Sequence, residues 1–308
     1  MMASSEIQIL DPAGTVEKLK KVAAGRALNR RHFIAALGMT GAAAGAESLT
    51  GCSSSNSVAV TTAGVQQTDV LNFALNLEYL EATFYSFVTQ GTDLPSSATS
   101  GSGAITGAPA KLTFTGSNAQ QITDMLDEIY FDELNHVLTL RTLLGAALVN
   151  RPAINLSALG AITSSNVLSI ARLFEDVGVT AYAGAVAALS GGNLGFAMQI
   201  LGVEGFHAGS LRLLSIQNPT IAAYISAGAL DVDPIDPGTA AAAAAGPSSA
   251  GAFFATAGAS SFTSSTPAGF AFSRTTSQVL AIVYANTASG TSSGGFFPNG
   301  VNGNIKSV

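Results

Sequence analysis

Only one cysteine, Cys52, occurs in 308 residues, which excludes an internal disulfide framework and any multi-cysteine metal site. Tryptophan is absent, and histidine occurs three times. Asp, Glu, Lys and Arg together make up 10% of the chain, well below the usual value of roughly one quarter. With charge this scarce, an acid inside an apolar helix needs a reason to be there. The formal net charge of −6 and the pI near 5.0 exclude a nucleic-acid binder, which requires a basic face. Mean hydropathy is high at +0.39, but Ala and Gly supply much of it. No apolar run reaches the roughly 18 residues of a spanning helix without small or polar interruptions.

The N-terminal region reads as an address. Asn29-Arg30-Arg31-His32-Phe33-Ile34 is followed by a weakly apolar Ala/Gly stretch to about residue 46. This resembles a twin-arginine export signal, with Arg30 and Arg31 as its pair. Leu49-Thr50-Gly51-Cys52 then resembles a lipobox, with the sole cysteine as the lipidated first residue of the mature chain. Residues 1–52 are thus expected to be the signal and 53–67 a tether. The expected location is the periplasm or cell envelope, reached through the twin-arginine machinery and held by a lipid anchor. That route carries folded proteins, so a metal could be loaded before export.

From Thr68 the apolar residues recur at helical spacing. The pattern predicts a first helix from Thr68 to Gln90, stopped by Gly91, and a second from Asn118 to Leu144, capped by Ser117 and closed by Gly145. A third is expected from about Ser165 to Leu189, and a fourth from Asn193 to just before Asn218. Residues 91–117 are rich in Gly, Ser and Thr, and read as a long loop with a short strand at Leu112–Phe114. The four helices form a duplicated hairpin. Glu78, Thr83 and Tyr85 in the first match Glu175, Thr180 and Tyr182 in the third. Glu133, His136, Leu140 and Arg141 in the second match Glu204, His207, Leu211 and Arg212 in the fourth. Glu78 precedes Glu133 by 55 residues and Glu175 precedes Glu204 by 29, and the 26-residue excess is about the length of the long loop.

A Glu and a His three apart share one helix face and can reach one ion. Two such helices, with one Glu from each of the others, bring together four carboxylates and two imidazoles. Their negative charge balances two divalent ions. Left without cations, four buried carboxylates would each lose hydration worth several kcal/mol. Around Glu204 the chain is apolar or small from Leu194 to Leu211, apart from Gln199 and His207, so an acid there is not a surface residue by default.

On these motifs, residues 69–216 resemble the ferritin-like superfamily, and most closely its exported branch that includes desiccation-related proteins. The tail segments Arg274-Thr275-Thr276-Ser277-Gln278-Val279-Leu280 and Gly294-Gly295-Phe296-Phe297-Pro298-Asn299-Gly300 resemble the ending of that branch. The resemblance implies an all-α fold: a four-helix bundle over 68–217, with long irregular loops and a C-terminal extension, 218–308. Within that extension Thr276–Tyr284 reads as a fifth helix docking on the bundle, and about Thr220–Ala227 as a short one. The acids Asp231, Asp233 and Asp236 lie among prolines, whose turns explain them as well as weak calcium binding does.

The implied metal ligands are Glu78, Glu133, His136, Glu175, Glu204 and His207, holding two divalent ions, with iron preferred to manganese. Glu81, three residues from Glu78, is an alternate ligand or a base behind the ligands. Tyr85 and Tyr182 hydrogen-bond site carboxylates, form radicals, or simply pack beside the site. Arg141 and Arg212 are expected to pair with acids at the bundle end, and Glu128, Asp132 and Asp176 read as solvated acids. Two functions follow as expectations. One is a redox centre acting on oxygen or peroxide in oxidative stress. The other is a non-catalytic metal-binding or desiccation-protective protein. A homo-oligomer fits either.

Overall fold

The computed structural model of the chain describes residues 65–99, 101, 103–218 and 273–308. The export-signal, tether and lipidation expectations, the short helix near residue 220 and the acids Asp231, Asp233 and Asp236 fall outside the described residues. Four long helices dominate: α1 (Gln67–Gln90), α2 (Ala119–Leu144), α3 (Val167–Ala185) and α4 (Gly191–Gln217). A fifth, α5 (Thr276–Val283), comes from the C-terminal segment. Their boundaries follow from local chemistry. At the start of α1 the Asp69 carboxylate accepts the Gln66 N–H at 3.2 Å, so the helix begins just before the expected Thr68. It ends at Gly91, whose φ of 73° lets its N–H turn back to Ser86 and Phe87. The third helix is shorter than its sequence pattern, because residues Val186–Ala188 tighten into a 3-10 turn.

The bundle consists of two helical hairpins, α1 with α2 and α3 with α4, joined by α1–α3 and α2–α4 contacts. Asn72 near the start of α1 bonds the Ala147 carbonyl just past the end of α2, while Gln90 at the end of α1 reaches Asp127 near the start of α2. These paired helices therefore run antiparallel. Every residue of α1 from Val70 to Ser86 is buried, and every residue of α3 from Val167 to Thr180. Two helices buried on all faces need cover on all faces, and the bundle alone does not supply it.

The remaining cover comes from the C-terminal segment. Thr275 and Gln278 close a capping box on α5, with the Gln278 N–H donating to the Thr275 hydroxyl at 3.2 Å. Val279, Leu280, Ile282 and Val283 are buried, and α5 packs on α3. The Arg274 N–H donates to the Thr180 carbonyl at 2.9 Å. Phe296 meets Phe174 edge-on at 5.1 Å, and the backbone N–H of Asn302 donates to the Asn76 side chain at 2.9 Å. The last residues, without evident chemistry in the sequence, are thus packing material for α1 and α3.

One expected element is absent. Leu112–Phe114 is not a strand; instead the Leu112 N–H donates to the Val88 carbonyl at 2.9 Å, pinning the loop to the end of α1. Strand pairing occurs elsewhere, in a short parallel pair of β1 (Ile105–Thr106) with β2 (Ile154–Asn155). Arg151 holds the same two connections together through two hydrogen bonds to Asp93, at 2.5 and 2.7 Å. Among the described residues no helix is long and apolar enough to cross a membrane.

Candidate metal centre

Helical spacing brings the six expected ligands to one level of the bundle. Glu78, Glu133, Glu175, Glu204 and His207 are fully enclosed, and His136 is 8% exposed. Their donor atoms form two groups, each within 4.8 Å: Glu78, Glu133, His136 and Glu204, and then Glu133, Glu175 and His207. Glu133 belongs to both. In each histidine it is Nδ1 that faces the carboxylates. His136 Nδ1 lies 3.2 Å from Glu78 Oε2 and 3.2 Å from Glu133 Oε2. His207 Nδ1 lies 3.0 Å from Glu175 Oε2 and 3.2 Å from Glu133 Oε1, the latter without hydrogen-bond geometry. The two rings are 6.5 Å apart, centre to centre.

The sequence repeat reappears as a crossed pair of hydrogen bonds. Tyr85 of α1 donates to Glu175 of α3 at 2.5 Å, and Tyr182 of α3 donates to Glu78 of α1. The two tyrosines therefore orient the two single glutamates, beyond merely packing beside them. Glu81 joins neither donor group; it is buried next to the cluster and feels the charges of Glu204, Glu133, Glu175 and Glu78.

Two acids set aside as solvated have partners in the bundle, one half-buried and one buried. Asp132 Oδ2 lies 3.1 Å from His207 Nε2, on the far side of the ring from the carboxylates. A carboxylate there fixes the ring's tautomer and leaves Nδ1 free to act as a donor to a cation. No local pattern announces this contact, since it crosses from α2 to α4. Asp176 is buried and pairs with Arg172, four residues earlier, at 3.1 Å, a spacing visible in the sequence. Glu128 is exposed, as expected. Arg141 donates to the Tyr79 hydroxyl at 2.6 Å.

The protonation pattern shows what this cluster lacks. Burial, reinforced by Glu133, pushes the Glu78 carboxyl up to about 8. Burial and the neighbouring carboxylates push Glu81 and Glu204 well above the ordinary carboxylate range, and burial also raises Glu175. Burial alone would raise Glu133 too, but His136 and His207 hold it below its ordinary value. Burial opposes charge on the imidazoles, yet the surrounding carboxylates raise His136 to about 12 and His207 to about 11. Protons are thus standing in where positive charge is needed. Both oxygens of Glu204 still lack a hydrogen-bond donor among the described residues. At Gly178 a Cβ would come within 2.2 Å of Glu204 Oε2, so only glycine leaves that carboxylate its place. Orphaned buried oxygens, two inward-facing imidazoles and a shared central carboxylate fit bound metal ions.

Residues 66–217 match the family of ferritin-like domains. The chain belongs to the ferritin-like superfamily. No curated protein and no solved structure matches it. The ferritin-like match covers all four bundle helices and all six clustered side chains, and stops short of α5 and the C-terminal residues that cover α1 and α3.

Chelator-treated protein should lose stability as pH rises from about 4.5 through about 8. Over that range the folded chain keeps the Glu78 proton that the unfolded chain has released. Glu81 and Glu204 act in the same direction, and the histidines extend the loss above their ordinary 6.5. Glu133, lowered in the folded chain, acts oppositely at the acid end. Each group contributes at most about 1.4 kcal/mol per pH unit. Urea midpoints taken between pH of about 5 and about 8 should fall; a rising midpoint would contradict this proton inventory.

Proposed function

We propose that this ferritin-like chain holds two divalent metal ions, iron in preference to manganese, and uses them for redox chemistry on oxygen or peroxide. The observation that carries this reading is the pair of buried donor groups sharing Glu133, with both oxygens of Glu204 unsatisfied. Glu78, Glu133, His136 and Glu204 would hold one ion, and Glu133, Glu175 and His207 the other. A bound pair supplies two electrons at short range, which no side chain here can do.

The protein's own residues contribute placement and seclusion. Tyr85 and Tyr182 hold Glu175 and Glu78 by hydrogen bonds that turn each carboxylate toward the cluster. Asp132 fixes the His207 ring. Complete burial of the four glutamates keeps bulk water away, which strengthens every charge interaction inside.

That same enclosure favours a second reading, a metal-holding or desiccation-protective protein with little turnover. The Arg30-Arg31 pair and the lipobox cysteine Cys52 support export by the twin-arginine route and a lipid anchor, so that a metal bound before export would travel inside the folded bundle. Cys52→Ser should move the protein from the membrane fraction to the soluble fraction; unchanged fractionation would remove the anchor from the proposal.

Rapid mixing of the ferrous-loaded full chain with dissolved oxygen or peroxide separates the two readings. A redox centre oxidises its iron faster than iron oxidises in buffer, and Glu133→Ala abolishes the advantage. Oxidation no faster than in buffer, with metal still bound, leaves the holding role. Asp132→Asn should weaken metal binding by about 10- to 100-fold, measured by competition with a chelator.

A further inference from the structure

The large apolar side chains exposed among the described residues are unevenly distributed. Apart from Val65 they are Phe131 and Leu143 on α2 and Phe196, Met198, Phe206 and Leu213 on α4. Phe131, Phe206 and Leu213 are 65%, 52% and 55% exposed. No charge breaks the patch on α4, where none of the exposed residues described is Asp, Glu, Lys or Arg. An exposed apolar face of this kind marks a site of interaction.

Glycine spacing on the same face restricts the partner. Gly195, Gly202 and Gly209 are exposed and recur every seven residues, the interval that keeps one seam against a neighbouring helix along its length. Glycine inside a helix is less favourable than alanine, yet a Cβ at any of the three would meet nothing within 4 Å. The chain's own packing therefore gives no reason for glycine there. A second helix does, because small residues let two helix backbones approach closely.

We propose that the α2–α4 face is the seat of a second copy of this chain, whose α4 crosses this one antiparallel over Gly202, the midpoint of the glycine seam. The area suffices. At about 1.5 Å per residue, α2 and α4, with 26 and 27 residues, are each about 40 Å long. Side by side at about 10 Å they present roughly 800 Å², the share one partner gives to a stable interface. A two-fold contact is self-complementary, and an uncharged helix face meets its own copy without repulsion. The antiparallel crossing also sets Asp124 and Glu128, exposed acids of α2, opposite the later half of the copy's α2, which exposes no acid. A membrane surface fits less well, since a helix lying on lipid carries Lys or Arg on its polar face. The contact would complete the enclosure of the metal centre. Asp132, 30% exposed behind His207, follows Phe131 on α2, and the Phe206 ring stands 6.0 Å from the His207 ring.

Sedimentation of the full chain carrying Cys52→Ser, which removes the only cysteine, tests this without any metal. The protein should sediment as a dimer. Adding Gly202→Glu should give a monomer with unchanged helical circular dichroism, since the single chain leaves room for a side chain there. Adding Gly202→Cys instead should give a disulfide-linked dimer on mild oxidation, whereas Lys111→Cys, outside this face, should not. Should Gly202→Glu not fold, the cross-link through residue 202 decides. A monomeric chain overturns the proposal; slow amide exchange on α4 in that monomer would make the chain's own segment 219–272 the cover. A dimer that survives Gly202→Glu, or forms no disulfide through residue 202, has its contact elsewhere and overturns the proposal as well.

Discussion

Four glutamates from four helices converge where water cannot reach them, and the rest of the bundle is arranged around the cost of that convergence. Each buried carboxylate forfeits hydration worth several kcal/mol, and neighbours of like charge add repulsion. Protons on Glu78, Glu81 and Glu204 and on the two imidazoles relieve part of it. They do not give Glu204 a hydrogen-bond donor. Cations would neutralise the cluster and satisfy that carboxylate together, which ties folding to metal through the same side chains.

Two hairpins from one repeat make the site nearly symmetric. The crossed bonds from Tyr85 to Glu175 and from Tyr182 to Glu78 relate α1 to α3, and the two Glu-x-x-His motifs relate α2 to α4. The symmetry breaks at Asp132, which backs His207, and at Glu81, whose counterpart in the repeat is Gly178.

Much of this was legible in the sequence because helical periodicity and motif spacing are local properties. The helix ends at Gln90 and Leu144, the duplicated hairpin and the fifth helix from Thr276 all follow from neighbours within a few residues. Contacts between helices are not local. Asp132 resembles any solvated acid on a helix, and only the fold carries His207 to it. The β1–β2 pair joins residues about 50 apart in a region of weak strand propensity, and Leu112 of the expected strand bonds to Val88 of α1 instead. The cover that Phe296 and Phe297 give the bundle is equally invisible in a Gly- and Asn-rich tail.

Enclosure has a functional consequence. The C-terminal segment, outside the family match, buries α1 and α3 on the faces that α2 and α4 leave open. It makes the carboxylates' surroundings dry, and so makes positive charge inside the bundle more valuable than it would be at a surface. The most direct measurement is anomalous diffraction at the iron and manganese absorption edges on crystals of the full chain. Two peaks are predicted, one bounded by Glu78, Glu133, His136 and Glu204 and one by Glu133, Glu175 and His207. Metal-supplied crystals with no anomalous density among these six side chains would contradict the dinuclear centre.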